Sequence, residues 1–195
     1  MSKQVYRDLL ARADSDDIKR GLAWYPDNHK KVLALAAETG YSPQQVAGVI
    51  ACLSPMVEWN LNLRMAERFL KAKGKVRRGI AGFERNRQKA RDVLAGDLEV
   101  IRGPKVRAFY ETLLDPEHAV PVIDTQMIAA FFEGTAYRDD LKIVSQAKKR
   151  LAPIHAAVKE LAEERKWSIS AMQAVLWVTF KRVNGPYADQ LKLWK

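Results

Sequence analysis

The chain has 195 residues, 48% of them hydrophobic, which is material for one domain or for two small lobes. Its single cysteine, Cys52, excludes an internal disulfide and any cysteine-ligated zinc or iron–sulfur site within one chain. The net charge is +10, and residues 64 to 107, with fourteen Lys/Arg against five acids, hold nearly all of the excess. A charge concentrated in this way points to a polyanion, nucleic acid before an anionic membrane, against the plainer reading of a solvated basic face. No apolar run approaches the roughly 20 residues needed to span a bilayer. Met1-Ser2-Lys3-Gln4 opens with no apolar leader run. A cytoplasmic location with no membrane partner is therefore expected.

In chain order, Asp14, Asp16 and Asp17 precede a helix, and their charge complements its dipole. Ser42-Pro43-Gln44-Gln45 is a strong helix start, with Ser42 as N-cap, Pro43 at the first position and Gln45 completing a capping box. That helix runs through Val46, Val49, Ile50 and Leu53 to a stop at Ser54-Pro55. Cys52 lies in this apolar run and reads as a buried, inert thiol. The next helix, near 57–72, places Leu61, Met65 and Phe69 on one face. Gly74, Gly79 and Gly82 interrupt the chain before a helix at 84–95, which Gly96 closes. Further helices are expected near 104–114, 125–133, 139–150, 153–165 and 168–183, the last capped by Ser168 and ended by Asn184-Gly185-Pro186. The strand-like run Ala119-Val120-Pro121-Val122-Ile123 is short and carries a proline, so it reads as a buried extended loop. The fold class is all-α. Tyr6, Trp24, Tyr25, Trp167, Trp177 and Trp194 read as core. His29, His118 and His155 have no carboxylate or cysteine at ligand spacing, so no metal site is expected.

The segment from Gly96 to Phe132 carries the chemistry. Arg102-Gly103-Pro104 forms a tight turn opening a helix whose first residues include Lys105. A helix start offers backbone N–H groups and a positive dipole end to a phosphate, and Gly103 lets backbone approach closely. Arg102 and Arg107 flank Lys105 with positive charge, a field that favours the neutral amine a nucleophile requires. Asp124 follows an apolar stretch and precedes Thr125, so it is a candidate carboxylate or simply the N-cap of the helix at 125–133. Lys105 likewise serves either as a nucleophile or as a phosphate contact.

Gly103-Pro104-Lys105-Val106 and Val120-Pro121-Val122-Ile123-Asp124-Thr125, with nineteen residues from Lys105 to Asp124, resemble the helix–hairpin–helix DNA glycosylases, the superfamily of endonuclease III and 8-oxoguanine DNA glycosylase. In that family a hairpin of the form Leu-Pro-Gly-Val-Gly-x-Lys precedes an aspartate in Val-Asp-x-His. Upstream, Ile50-Ala51-Cys52-Leu53-Ser54-Pro55 is similar to the family's Leu-Leu-Ser-Ala segment, and Asn86, Lys89, Ala90 and Leu94 to its Asn-x-Lys-Ala helix. Three departures stand out. Ile101 and Val100 replace the hairpin's first glycine and its proline, Gln126 replaces the histidine, and the cluster cysteines of some members are absent.

The resemblance implies a single catalytic unit of two helical lobes flanking a DNA-binding cleft, a hairpin lobe over about 42–133 and a second lobe from 1–41 and 134–195. It implies a monomer on double-stranded DNA with no cofactor or metal. It gives Lys105 the attack on the sugar and Asp124 the carboxylate's part. DNA contacts fall to Arg102, Gly103, Val106, Arg107, Arg85, Arg87 and Lys89. Met56 takes the place of the side chain that fills the gap left by a flipped nucleotide, with Trp59 as alternative plug, stacking platform or core residue. The activity implied is excision of a modified or damaged base followed by strand cleavage. The rival expectations are a base-modifying enzyme on the same fold and a non-catalytic DNA-binding module.

Overall fold

The computed structural model describes residues 2–76, 83–132 and 148–185, and among these it contains helices, turns and loops but no strand. The all-α expectation is met. The helices are α1 (Ser2–Ala11), α2 (Ser15–Thr39), α3 (Pro43–Leu53), α4 (Trp59–Lys71), α5 (Glu84–Leu94), α6 (Pro104–Leu114), α7 (Thr125–Phe131), α8 (Lys148–Arg165) and α9 (Ile169–Val183), with a 3-10 turn at Leu98–Val100. The helix expected near 139–150 falls almost wholly outside the described residues, as do Arg77, Arg78, Gly79, Gly82 and Trp194. The helix expected over 153–165 lies within α8, which has Pro153 inside it. No described helix is long and apolar enough to cross a membrane.

The chain divides into two compact units, Met1–Asp27 with Pro116–Lys195, and Asn28–Asp115. The second unit runs from 28 to 115, whereas the lobe expected from sequence runs over about 42–133, and the Asp124 loop and α7 lie in the first unit.

In the first unit α1, α7, α8 and α9 enclose an apolar core of Tyr6, Met127, Ile128, Ile154, Leu161, Met172 and Leu176. Tyr6 reaches its buried position without an unpaired hydroxyl because it donates to the Met127 carbonyl at 2.8 Å. Ser168 caps α9 by accepting from Ala171 N at 3.2 Å. Residues Pro121, Val122 and Ile123 are buried without strand pairing, as the proline-bearing run suggests, while Ala119 and Val120 are exposed. The start of α2 is tied to the end of α9: Arg182 Nε donates to Asp17 Oδ2 at 2.8 Å and lies 3.2 Å from Asp14. Asp17 is therefore more than a surface charge at a dipole end. Burial alone would raise its carboxyl, but the hydrogen bond and charge of Arg182, with the backbone of the Asp14 turn, hold it below its ordinary value.

The second unit is built around α3, whose residues Val46 to Leu53 are all buried against α4, α5 and α6. The capping box forms as expected, with Gln45 N donating to Ser42 Oγ at 3.2 Å and Ser42 N donating to Gln45 Oε1 at 3.1 Å. Gly48 gives the close approach: a Cβ there would lie 2.8 Å from Val93 Cγ1 and 3.0 Å from Ile101 Cδ1. Ile101, which departs from the glycine of the hairpin pattern, is thus a core anchor that fastens the α5–α6 turn onto α3. Asn62 fastens α4 to the same helix by donating to the Ile50 carbonyl at 3.1 Å. Cys52 is buried and its thiol is pushed up to about 11, chiefly by burial, which keeps it in the unreactive thiol form.

Candidate functional site

In the second unit the end of α3 and the start of α6 meet. Gly103 occupies φ 99°, where an L side chain is strained, and leads Pro104 into α6 with no side-chain cap over the helix start. Lys105 follows at the second position of the helix and is half-buried. Its Nζ donates to Ser54 Oγ at 3.0 Å and sits 4.9 Å from the centre of the Phe109 ring. Phe109 in turn packs edge-on against Trp59, with ring centres 6.0 Å apart. The two family-like segments, separated by 51 residues, are therefore joined through the lysine that the resemblance singles out. Phe109 was missed in the sequence, although its place one helical turn after Lys105 is a local signal.

Ser54 ends α3 and begins a turn closed by Val57 N on the Ser54 carbonyl at 3.2 Å. Pro55 takes the second position of that turn and Met56 the third, where φ is 65° and glycine or asparagine is usual. A methionine in that conformation costs about 1–3 kcal/mol, and its side chain is 70% exposed rather than packed. Among the described residues nothing in the packing requires Met56. Met56→Gly is expected to raise stability by about 1 kcal/mol as the strain is relieved. Thermal melting checks the effect.

The expected phosphate-binding cations differ in circumstance. Arg85 is exposed and its guanidinium lies 5.0 Å from the Phe83 ring centre. Arg102 is exposed, with Nε on the Glu99 carbonyl at 2.8 Å. Arg87 is engaged with Glu84, and Arg107 pairs with Glu111 at 2.6 Å. Glu111 thus offsets much of the positive field that Arg107 was expected to place on Lys105. Val106 and Lys89 are half-buried.

In the first unit Asp124 is the N-cap of α7. Its Oδ1 accepts from Gln126 N at 3.0 Å and from Met127 N at 2.9 Å. Its Oδ2 accepts from the indole Nε1 of Trp177 at 3.1 Å. Trp177 is half-buried, not simply core; it packs edge-on to Trp24 at 5.9 Å, and Lys181 Nζ lies 4.2 Å from its ring centre. Tyr6 and Tyr25 are both raised well above their ordinary range, by burial first and by the nearby Asp124 charge second. Gln126, in the place of the family's histidine, has its side-chain oxygen buried with no hydrogen-bond partner. The cap and the indole bond together use both oxygens of Asp124, so the capping and carboxylate readings share one side chain. Trp177 was unreadable as a partner of Asp124 because 53 residues separate them.

Two surface hollows, of about 200 Å³ beside Trp167 and Ser168 and about 490 Å³ beside Tyr41 and Lys73, include neither Lys105 nor Asp124. Among the described residues no group of His, Cys, Asp or Glu is placed to hold a metal ion. No curated protein and no solved structure matches the chain. A family model does match, over residues 1–184. By that match the chain belongs to DUF7178, a family of unknown function.

Proposed function

We propose that the chain binds double-stranded DNA, excises a modified or damaged base, and cleaves the resulting abasic site through a Schiff base on Lys105. The observation that carries this reading is the setting of Lys105. Its amine is half-buried at the first turn of α6, behind the Gly103 turn, held by Ser54 and backed by Phe109. Held between Ser54 and the Phe109 ring, the amine has a restricted position, as a nucleophile that must meet one carbon atom requires. The exposed Met56 in its strained turn and the exposed Arg85 and Arg102 of the same unit support a DNA partner.

In this scheme the neutral Lys105 Nζ donates its lone pair to the sugar C1′ as the glycosidic bond breaks, and the base leaves with the bonding electrons and takes up a proton. The sugar ring opens to the protonated Schiff base. Loss of a C2′ proton then expels the 3′ phosphate, and water releases the lysine. Asp124 supplies the carboxylate whose charge offsets the cationic character developing at C1′.

The test is borohydride trapping of wild type and Lys105→Gln on duplexes carrying an abasic site or a panel of altered bases. The expected result is a covalent complex with wild type and none with Lys105→Gln. Absence of the complex on every duplex overturns the reading.

A second reading, a non-catalytic DNA-binding module, draws on a specific observation: both Asp124 oxygens already accept hydrogen bonds, and an aromatic face favours the ammonium form of a lysine. Under that reading salt-sensitive binding persists with no covalent complex, and Lys105→Gln lowers the salt slope by about one counterion.

A further inference from the structure

We propose that Ser54 is a positioning residue for the Lys105 amine, acting as a committed hydrogen-bond acceptor that keeps the nitrogen's lone pair open for attack. The proposal rests on the excision reading for the role of Lys105 as nucleophile, but the hold of Ser54 on the amine can be measured without DNA.

A serine hydroxyl has one proton to give and two lone pairs to receive with. Ser54 Oγ lies 2.9 Å from the Ala51 carbonyl, to which it donates, and 3.0 Å from Lys105 Nζ, from which it accepts. The commitment of its proton decides the chemistry. A hydroxyl free to rotate would donate to a neutral amine and occupy the lone pair needed for attack. With its proton held by Ala51, Ser54 only accepts, so a neutral Lys105 gives it one N–H and directs its lone pair elsewhere.

Ser54 and Phe109 respond differently to the protonation of the amine. The Phe109 face attracts the ammonium through its charge, and that attraction falls when the proton leaves. The bond to Ser54 is available in both states, because an ammonium has three N–H groups and an amine two. Of these two contacts, Ser54 is the one that still orients the nitrogen in the nucleophilic form.

The anchor is also rigid. Ser54 is 9% exposed and closes α3, the buried central helix of its unit, where Ala51 is fully buried and the Ile50 carbonyl is tied to Asn62. An acceptor mounted there has little freedom to follow a wandering side chain, so it restricts where the amine can be.

Competitive acetylation of Lys105, read by mass spectrometry from neutral to alkaline pH, tests the hold directly in wild type, Ser54→Ala and Ser54→Thr. Circular dichroism confirms that each variant is folded. Because the charged amine makes the stronger of the two bonds to Ser54, the expected result is a Lys105 labelling profile that moves to lower pH in Ser54→Ala and returns in Ser54→Thr, while the profiles of other lysines stay in place. On an abasic duplex, trapping by Ser54→Ala is expected to slow about 10-fold or more through lost orientation, with duplex affinity unchanged and the rate recovered in Ser54→Thr. A folded Ser54→Ala protein whose Lys105 profile superimposes on wild type overturns the proposal, whatever the trapping shows. A shifted profile with no covalent complex from wild type on any duplex supports the hold of Ser54 and removes the excision reading instead.

Discussion

Gly21→Ala is expected to destabilise the first unit by about 3 kcal/mol or more, at the upper end of the cost of overfilling a packed interior. Intrinsic helix preference predicts the opposite sign, because alanine inside a helix is favoured over glycine by about 1 kcal/mol. The contact decides. A Cβ at Gly21 would lie 2.4 Å from Val175 Cγ2, 2.5 Å from Val175 Cα and 2.7 Å from Val175 N. A side-chain tip could swing away, but two of these three atoms are backbone, so relief requires α2 and α9 to separate along their contact. For a chain of this size the loss corresponds to a fall in melting temperature of about 6–12 °C, readable by circular dichroism. Gly48→Ala makes a useful comparison, since its close contacts at 2.8 and 3.0 Å are both to side-chain carbons, Val93 Cγ1 and Ile101 Cδ1. A smaller loss is expected there. A neutral or stabilising Gly21→Ala would mean that α2 and α9 are not held at this distance.

The second large effect separates the two parts played by Asp124. Asp124→Ala removes the acceptor for Gln126 N and Met127 N and leaves the Trp177 indole N–H without its carboxylate. Loss of an N-cap costs about 0.5–2 kcal/mol, and an abandoned buried donor about 1–3 kcal/mol. Because Trp177 is only half-buried, the combined loss is expected near 2 kcal/mol. Asp124→Asn keeps an oxygen for the cap, and asparagine caps helices about as well as aspartate. Its amide nitrogen then faces the indole N–H, a mismatch of about 1 kcal/mol. Asp124→Asn should therefore melt close to wild type.

Activity should not follow stability in this pair. If the carboxylate charge assists departure of the base, Asp124→Asn lowers the excision rate about 100-fold or more while the fold is kept. Single-turnover base release together with melting curves for both variants makes the comparison. A fully active Asp124→Asn protein would leave Asp124 as a helix cap alone.

The helix starts and stops were legible because each is decided within about one turn of chain. Ser42 with Gln45, Ser168, Gly96 and the capping option at Asp124 all involve partners no more than a few residues away. Lys105 over Phe109 and Lys181 over Trp177 are equally local, each pair one helical turn apart, although neither contact was read from the sequence. The all-helical class, the concentration of positive charge and the choice of Lys105 and Asp124 as chemically suggestive residues came from the residue order alone.

The tertiary structure decided which of these residues have partners. Ser54 and Lys105 are 51 residues apart, Asp124 and Trp177 are 53 apart, and Asp17 and Arg182 are 165 apart. No local preference encodes such pairings. They follow from which helix faces pack together, and that is settled by the burial of many apolar side chains at once. The departure at Ile101 shows the difference most plainly. By residue order it is a glycine lost from a phosphate-binding hairpin; in the folded unit it is the apolar side chain that packs at Gly48 and holds the α5–α6 turn on α3. Residue order determined where helices begin and which groups could react, because those depend on near neighbours. Only the packing of distant helices decided what holds each group in place.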